Sequence, residues 1–271
     1  MAPKLGIIAG SGTLPRKLVE KCRETGRDCF VLALEDETDP ATVDGVDHLW
    51  SRMGAAGKNF AGLRAAGVQE IVLAGGVHRP SLAGLRPDWR AARFFARIGL
   101  KALGDDGLLS AVIKELEREG FTLVGLDSVL DDAVAPEGAF GRHKPDDQAR
   151  ADIEHGFRVA ATLGALDVGQ AVIVQQGMVL GVEAIEGTDA LIRRCAELRR
   201  AGPGGVLVKA KKPEQERRAD LPTIGPHTVQ AAHDAGLRGI AVEAYATLVV
   251  ERAELTALAD RLGLFVYGRV V

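Results

Sequence analysis

Lys4-Leu-Gly-Ile-Ile-Ala-Gly-Ser-Gly-Thr-Leu-Pro15 holds the first clue to the fold. Leu5 to Ala9 is a short apolar run, Gly10-Ser11-Gly12 interrupts it, and Leu14, Leu18, Val19 and Cys22 then recur at helical spacing as far as Arg23. The order is strand, turn, helix. Two further apolar runs, Cys29 to Leu34 and Glu70 to Ala74, stand either side of a helical segment over Gly57 to Ala66, so β and α units alternate and a parallel sheet is expected. The run from Glu70, the third strand on this reading, ends on Gly75-Gly76. That places a second glycine turn beside the first on the carboxyl edge of the sheet, where open α/β sheets bind ligands.

Further along, Pro80 to Leu103 is rich in Arg and Ala and reads as helix with a break near Pro87. Asp105-Asp106 opens a periodic helix over Leu108 to Glu119, and Phe121 to Leu126 reads as a strand. Asp131 to Asp147, with Pro136, Gly138, Gly141 and Pro145, has little periodicity and reads as a linker. The expected architecture is therefore α/β, with an N-terminal Rossmann-like parallel-sheet domain over 1–135 linked to a second, mixed α/β domain over 136–271. In that second half a helix over Asp146 to Leu163 precedes two β runs joined at Gln176-Gly177, a hairpin signal. A helix from Gly187 through Arg200, a strand over Gly205 to Ala210, a long polar stretch from Lys211 to Pro226, and then helix, strand, strand, helix and strand close the chain.

Composition narrows the function classes. The chain has 271 residues with 46% hydrophobic content, enough for a real core. Its 34 basic and 37 acidic residues leave a formal charge of −3, so no global field draws it to nucleic acid or anionic lipid and any anion site must be local. The low aromatic content, 4%, argues against a platform of stacked rings for nucleobases. Cys22, Cys29 and Cys195 show no metal-ligand spacing and are odd in number, which points to reduced cytosolic thiols. The apolar run before the first glycine turn is too short for a signal-peptide core, and no stretch approaches ~20 apolar residues, so a soluble, cytoplasmic protein is expected.

Gly10-Ser11-Gly12 before a helix could cradle a phosphate with backbone N–H groups, or be no more than a tight turn. Pro15 stands where the third glycine of a dinucleotide fingerprint would fall, which disfavours NAD. Near Gly75-Gly76, His78 and Arg79 add polar groups, and Asp105-Asp106 is most simply an N-cap pair. Lys209, Lys211, Lys212, Glu214, Gln215, Glu216, Arg217, Arg218 and Asp220 form a dense charged run before Leu-Pro-Thr-Ile-Gly. Such runs are usually solvated; here the lysines could also neutralise a diphosphate while Asp220 holds Mg²⁺ or positions a water. Glu183, Glu186 and Asp189 read either as helix-capping acids or as hard oxygen ligands. The six histidines form no HExxH, and no GxSxG is present, which sets aside zinc hydrolases and elbow-type serine hydrolases.

Lys4 to Pro15, Asp167-Val-Gly-Gln-Ala171, Val182-Glu-Ala-Ile-Glu-Gly-Thr-Asp-Ala190 and Asp220-Leu-Pro-Thr-Ile-Gly225, in this order and spacing, resemble the UDP-2,3-diacylglucosamine pyrophosphatase family of the LpxI type. The resemblance covers nearly the whole chain. It implies two domains joined by a flexible linker, and metal-dependent hydrolysis of UDP-2,3-diacylglucosamine to UMP and lipid X in lipid A synthesis, with Mg²⁺ or Mn²⁺; with the glycine turns and Asp220 on opposite sides of that linker, the two domains are expected to close over the substrate. It also carries Asp220 as the essential acid and metal ligand, and Gly10, Gly12, Gly75, Gly76, Asp105, Gln170, Thr188, Asp189 and Lys209 as substrate contacts. Lys211-Lys212 and His227 depart from the family's pattern. This reading has no nucleic-acid partner and allows a homodimer and transient contact with the inner face of the inner membrane. The alternative is a nucleotide-sugar or dinucleotide-binding protein without hydrolytic activity.

Overall fold

The computed structural model describes residues 2–77, 85–98, 105–130, 133–213, 217–218 and 221–271, with the side chains of Asp105 and Asp106 outside that set. The chain divides into two compact units, Met1–Asp131 with Glu216–Asp220, and Asp132–Gln215 with Leu221–Val271.

The first unit is built on a five-stranded sheet ordered β3-β2-β1-β4-β5, from β1 (Leu5–Ala9), β2 (Cys29–Leu34), β3 (His48–Ser51), β4 (Glu70–Ala74) and β5 (Thr122–Leu123). All pairings are parallel, with Leu5 opposite both Cys29 and Glu70. The chain adds strands to one side of β1 and then to the other, so the order reverses between β1 and β4, and the crevice of an open α/β sheet falls there. Helix α1 (Leu14–Thr25) buries Pro15, Leu18, Val19 and Cys22 and ends on Gly26 in the left-handed conformation. Pro15 sits in its first turn, where a missing N–H costs nothing. On the remaining helices, α2 (Ala56–Ala65), α3 (Trp89–Ile98), α4 (Asp105–Arg118) and the single turn α5 (Leu126–Val129), Phe60, Leu63, Ile113 and Leu116 join Phe30, Leu32 and Ile71 in one apolar cluster.

The second unit carries a six-stranded mixed sheet ordered β6-β13-β11-β9-β7-β8: β6 (Gly138–Ala139), β7 (Ala171–Gln175), β8 (Met178–Val182), β9 (Val206–Lys209), β11 (Gly239–Glu243) and β13 (Phe265–Arg269). β10 (Thr223–Ile224) and β12 (Leu248–Val249) form a separate parallel pair. Helices cover both faces, as the near-continuous apolar strands require. Val172, Val174, Val206 and Val208 meet Ala149, Ile153, Phe157 and Ala160 of α6 (Asp147–Ala165). Ala171, Ile173, Leu207, Ile240 and Val242 face Leu191 and Ile192 of α7 (Thr188–Ala196), Val229 and Ala232 of α8 (Pro226–Asp234), and Leu255 and Leu258 of α9 (Arg252–Leu262).

Several expectations are corrected. His48–Ser51 is an additional parallel strand, so the strand from Glu70 is the fourth. Only Thr122–Leu123 of the run Phe121 to Leu126 is strand. The helix expected to reach Arg200 ends at Ala196. The stretch read as a linker is folded into the second unit. Ala135 is wholly buried, exchanges hydrogen bonds with Thr247 and Tyr245 (2.8 and 2.9 Å), and precedes β6, which pairs with β13. Backbone bonds rather than an apolar pattern hold this stretch, so periodicity gave no sign of it. Of Pro80 to Leu103, α3 is helical, while 80–84 and 99–103 lie outside the described residues.

Asp146 N-caps α6 by accepting the Ala149 N–H (2.8 Å) and also pairs with Arg238. Hydrogen bonds from Arg238 and Ala149 hold its carboxyl below the usual carboxylate range. A depressed folded pKa stabilises fully above the unfolded value near ~3.9, and the contribution fades as pH falls through the folded value. Asn caps as well as Asp does, so Asp146→Asn should leave the cap but flatten the loss of stability in acid. Urea midpoints compared from pH 6 down into the acid limb test this; parallel curves for the two proteins would contradict it.

Candidate active site

Gly10, Gly12, Gly75 and Gly76 come together where β1 and β4 end. The two turns are joined backbone to backbone: the Ser11 N–H donates to the Gly76 carbonyl (2.7 Å), the Gly76 N–H to the Ser11 carbonyl (3.2 Å), and the Ser11 hydroxyl also to Gly76 (2.8 Å). A Cβ at Gly10 would lie 2.3 Å from the Gly76 carbonyl oxygen, so glycine is required there by close approach. The Gly10 N–H donates to Ala74 (2.8 Å). The amides of Gly10 and Ser11 are thus satisfied within the turns, and an anion at this edge would have to meet Gly12 and the first turn of α1. Gly12 has φ +87° with nothing within 4 Å of where a Cβ would stand.

In the second unit a cleft of about 380 Å³ is lined by Glu186, Gly187, Thr188, Asp189, Lys209, Thr223, His227 and Thr228. Three of the residues carried over from the sequence, Thr188, Asp189 and Lys209, meet here. Lys209 ends β9; its side chain is nine-tenths buried, and its ammonium donates to the Thr223 carbonyl (3.1 Å). The first turns of α7 and α8 both border the cleft, each following a glycine N-cap, Gly187 and Gly225. Two helix N-termini and a buried ammonium bring positive charge to a cleft that also carries the carboxylates of Glu186 and Asp189. Asp189 and His227 face each other across it at 3.7 Å, and the Thr228 hydroxyl accepts the Gly225 N–H (3.3 Å).

Behind the cleft, Glu183 is buried and accepts the Gln170 N–H (3.0 Å) and the Thr188 hydroxyl (2.6 Å). One carboxylate therefore connects two of the expected substrate residues to each other. The side-chain oxygen of Gln170 is buried with no hydrogen-bond partner among the described residues. Thr188 opens α7 as its first residue, and its hydroxyl goes to Glu183 instead of capping the helix. Glu186 is bound by Arg194 (2.8 Å), whose hydrogen bond holds that carboxyl below the usual range. Glu183, Glu186 and Asp189 are thus committed separately, and no group of three potential metal ligands occurs among the described residues.

The charged run after Lys209 disperses. Lys211 donates to the Lys212 carbonyl (3.0 Å) and Lys212 pairs with Asp167 (2.6 Å). Within the first unit, Arg217 pairs with Asp127 (3.0 Å) and Arg218 with Glu117 (2.9 Å). Asp220, Glu214, Gln215 and Glu216 lie outside the described residues, as do His78, Arg79 and the side chain of Asp105. Sequence reasoning missed Thr223 and Thr228 as cleft residues. Their one signal was their place in and just after Leu-Pro-Thr-Ile-Gly.

Residues 4–133 match the LpxI N-terminal domain and residues 136–267 the LpxI C-terminal domain. A curated relative from Caulobacter vibrioides, the UDP-2,3-diacylglucosamine pyrophosphatase LpxI, is 44% identical over 272 residues, covering 98% of this chain and 97% of its own length. A solved biotin carboxylase–ATP complex from Campylobacter jejuni matches 72% of this chain and 42% of its own at 14% identity and a TM-score of 0.23, too slight a likeness to carry an argument. With both domains matched in order and the relative aligned almost end to end, the chain belongs to the LpxI family.

Proposed function

We propose that the protein hydrolyses the diphosphate of UDP-2,3-diacylglucosamine, giving UMP and 2,3-diacylglucosamine 1-phosphate, the lipid X of lipid A biosynthesis. The near end-to-end identity with the Caulobacter pyrophosphatase is the observation that carries this reading. The cleft chemistry supports it. In the reaction water adds to one phosphorus, the bond to the bridging oxygen breaks, and that oxygen leaves with the other phosphate. Negative charge grows on phosphoryl oxygens along this path. Preorganised donors that cannot relax away from it stabilise it most. The Lys209 ammonium and the amides opening α7 are such donors, and Thr228 can add a hydroxyl proton. Asp220 is the residue assigned to position the attacking water or a metal.

Mg²⁺ or Mn²⁺ dependence is part of the proposal. The described residues alone do not fit a metal site, since they gather no ligand set. Asp220 is the one residue assigned to hold such an ion. UMP release should stop on chelation and return with Mg²⁺ or Mn²⁺ but not with Zn²⁺. Undiminished turnover after exhaustive EDTA treatment, with no metal found by elemental analysis, would remove the metal from the mechanism.

A further inference from the structure

We propose that α3, with Arg86 just before it, docks the first unit onto an anionic bilayer surface, an inference that rests on the diacylated substrate proposed above. Over the described residues from Leu85 to Ile98 the chain carries four basic residues, Arg86, Arg90, Arg93 and Arg97, against one acid, Asp88, in a protein whose net charge is −3. Asp88 is turned to structural use. One carboxylate oxygen accepts the Ala91 N–H at the start of α3 (2.8 Å), and the other the Gly57 N–H at the start of α2 (2.7 Å). Its charge is held by two helix N-termini.

Trp89, the next residue, is 72% exposed. The helix divides its arginines. Arg90 pairs with Glu119 and lies over the Phe60 ring, and Arg97 pairs with Glu115. Arg86 and Arg93 are exposed and have no hydrogen bond or ion pair among the described residues. Trp89 and Arg93 share the outer face of α3, while Phe94, Phe95 and Ile98 remain half-buried. An exposed indole beside unpaired guanidinium groups suits the boundary between lipid headgroups and acyl chains, where the ring buries its apolar part and the cations meet lipid phosphates. A substrate with two acyl chains resides in such a bilayer, so a docked enzyme meets it without drawing it through water.

The test is flotation of the full-length protein with phosphatidylglycerol–phosphatidylethanolamine vesicles and with phosphatidylcholine vesicles. Binding is expected to the anionic vesicles alone and should fall away in about 1 M salt, where the screening length is about 3 Å. The double variant R86E/R93E should bind at least ~20-fold more weakly, since each basic residue near an anionic surface contributes several-fold. It should hydrolyse detergent-dispersed UDP-2,3-diacylglucosamine at the wild-type rate. The protein has two tryptophans, so Trp50→Phe leaves Trp89 as the reporter, and its emission should shift to the blue on anionic vesicles. Trp89→Ser provides a second route to weakened binding with every charge retained. Wild type that stays unbound, R86E/R93E that binds like wild type, or a Trp89 emission that does not move would overturn the proposal. Salt-sensitive vesicle binding without hydrolysis of the detergent-dispersed substrate would leave the docking standing and sink the pyrophosphatase reading.

Discussion

Asp220→Asn is expected to lower kcat by at least ~100-fold while leaving substrate affinity nearly unchanged, the pattern of a group whose interaction is made mainly in the transition state. Asn keeps the size of the side chain and loses the charge and the basic oxygen, so it removes the ability to orient a water or hold a cation and little else. The assignment comes from the match of Asp220-Leu-Pro-Thr-Ile-Gly225 to the family's pattern. The residues just after Asp220 are firmly placed. Leu221 is buried, the Pro222 carbonyl accepts the Leu248 N–H (2.8 Å), and Thr223 lines the cleft while its carbonyl accepts from Lys209 (3.1 Å). Steady-state kinetics and a binding measurement on the folded variant check this. Turnover within a few-fold of wild type would end the role assigned to Asp220.

The second large effect is on stability. Gly75 has φ +88°, and a Cβ there would stand 2.4 Å from the Ser11 carbonyl oxygen and 2.9 Å from the Gly10 carbonyl carbon. Gly75→Ala therefore combines a left-handed conformation with a clash against backbone that is itself hydrogen-bonded, and should cost roughly 2–5 kcal/mol. Gly12 has almost the same φ but open space around it, so Gly12→Ala should cost only about 1–2 kcal/mol. Trp50 and Trp89 both belong to the first unit, so tryptophan fluorescence during urea unfolding follows that unit. Equal losses for the two variants would show that the turns can separate without penalty.

The parallel sheet was legible because its inner strands announce themselves as apolar runs, two of them, β1 and β4, ending in glycine. β3 was not: His-Leu-Trp-Ser is short, sits at the sheet edge and is mostly exposed or half-buried, so it lacks the apolar signature of a covered strand. β6 escaped for a related reason, as two residues held by backbone pairing leave no side-chain pattern. Of the site, Lys209, Thr188 and Asp189 were named from sequence and share one cleft. The part played by Glu183 was beyond reach, because its partners include a backbone amide thirteen residues earlier, at Gln170, and no local spacing encodes that pairing. Charge alone marks Lys211 and Lys212 as diphosphate partners but does not encode their contacts within the fold, Lys211 to the Lys212 carbonyl and Lys212 to Asp167.

Product analysis tests the central claim most directly. The protein, UDP-2,3-diacylglucosamine and Mg²⁺ are incubated in ¹⁸O-labelled water and the phosphates examined by mass spectrometry. The account predicts UMP and 2,3-diacylglucosamine 1-phosphate in equal amounts, with one labelled oxygen in the phosphate of one of them. Release of UDP in place of UMP, or recovery of the substrate intact from a folded and metal-supplied enzyme, would contradict it.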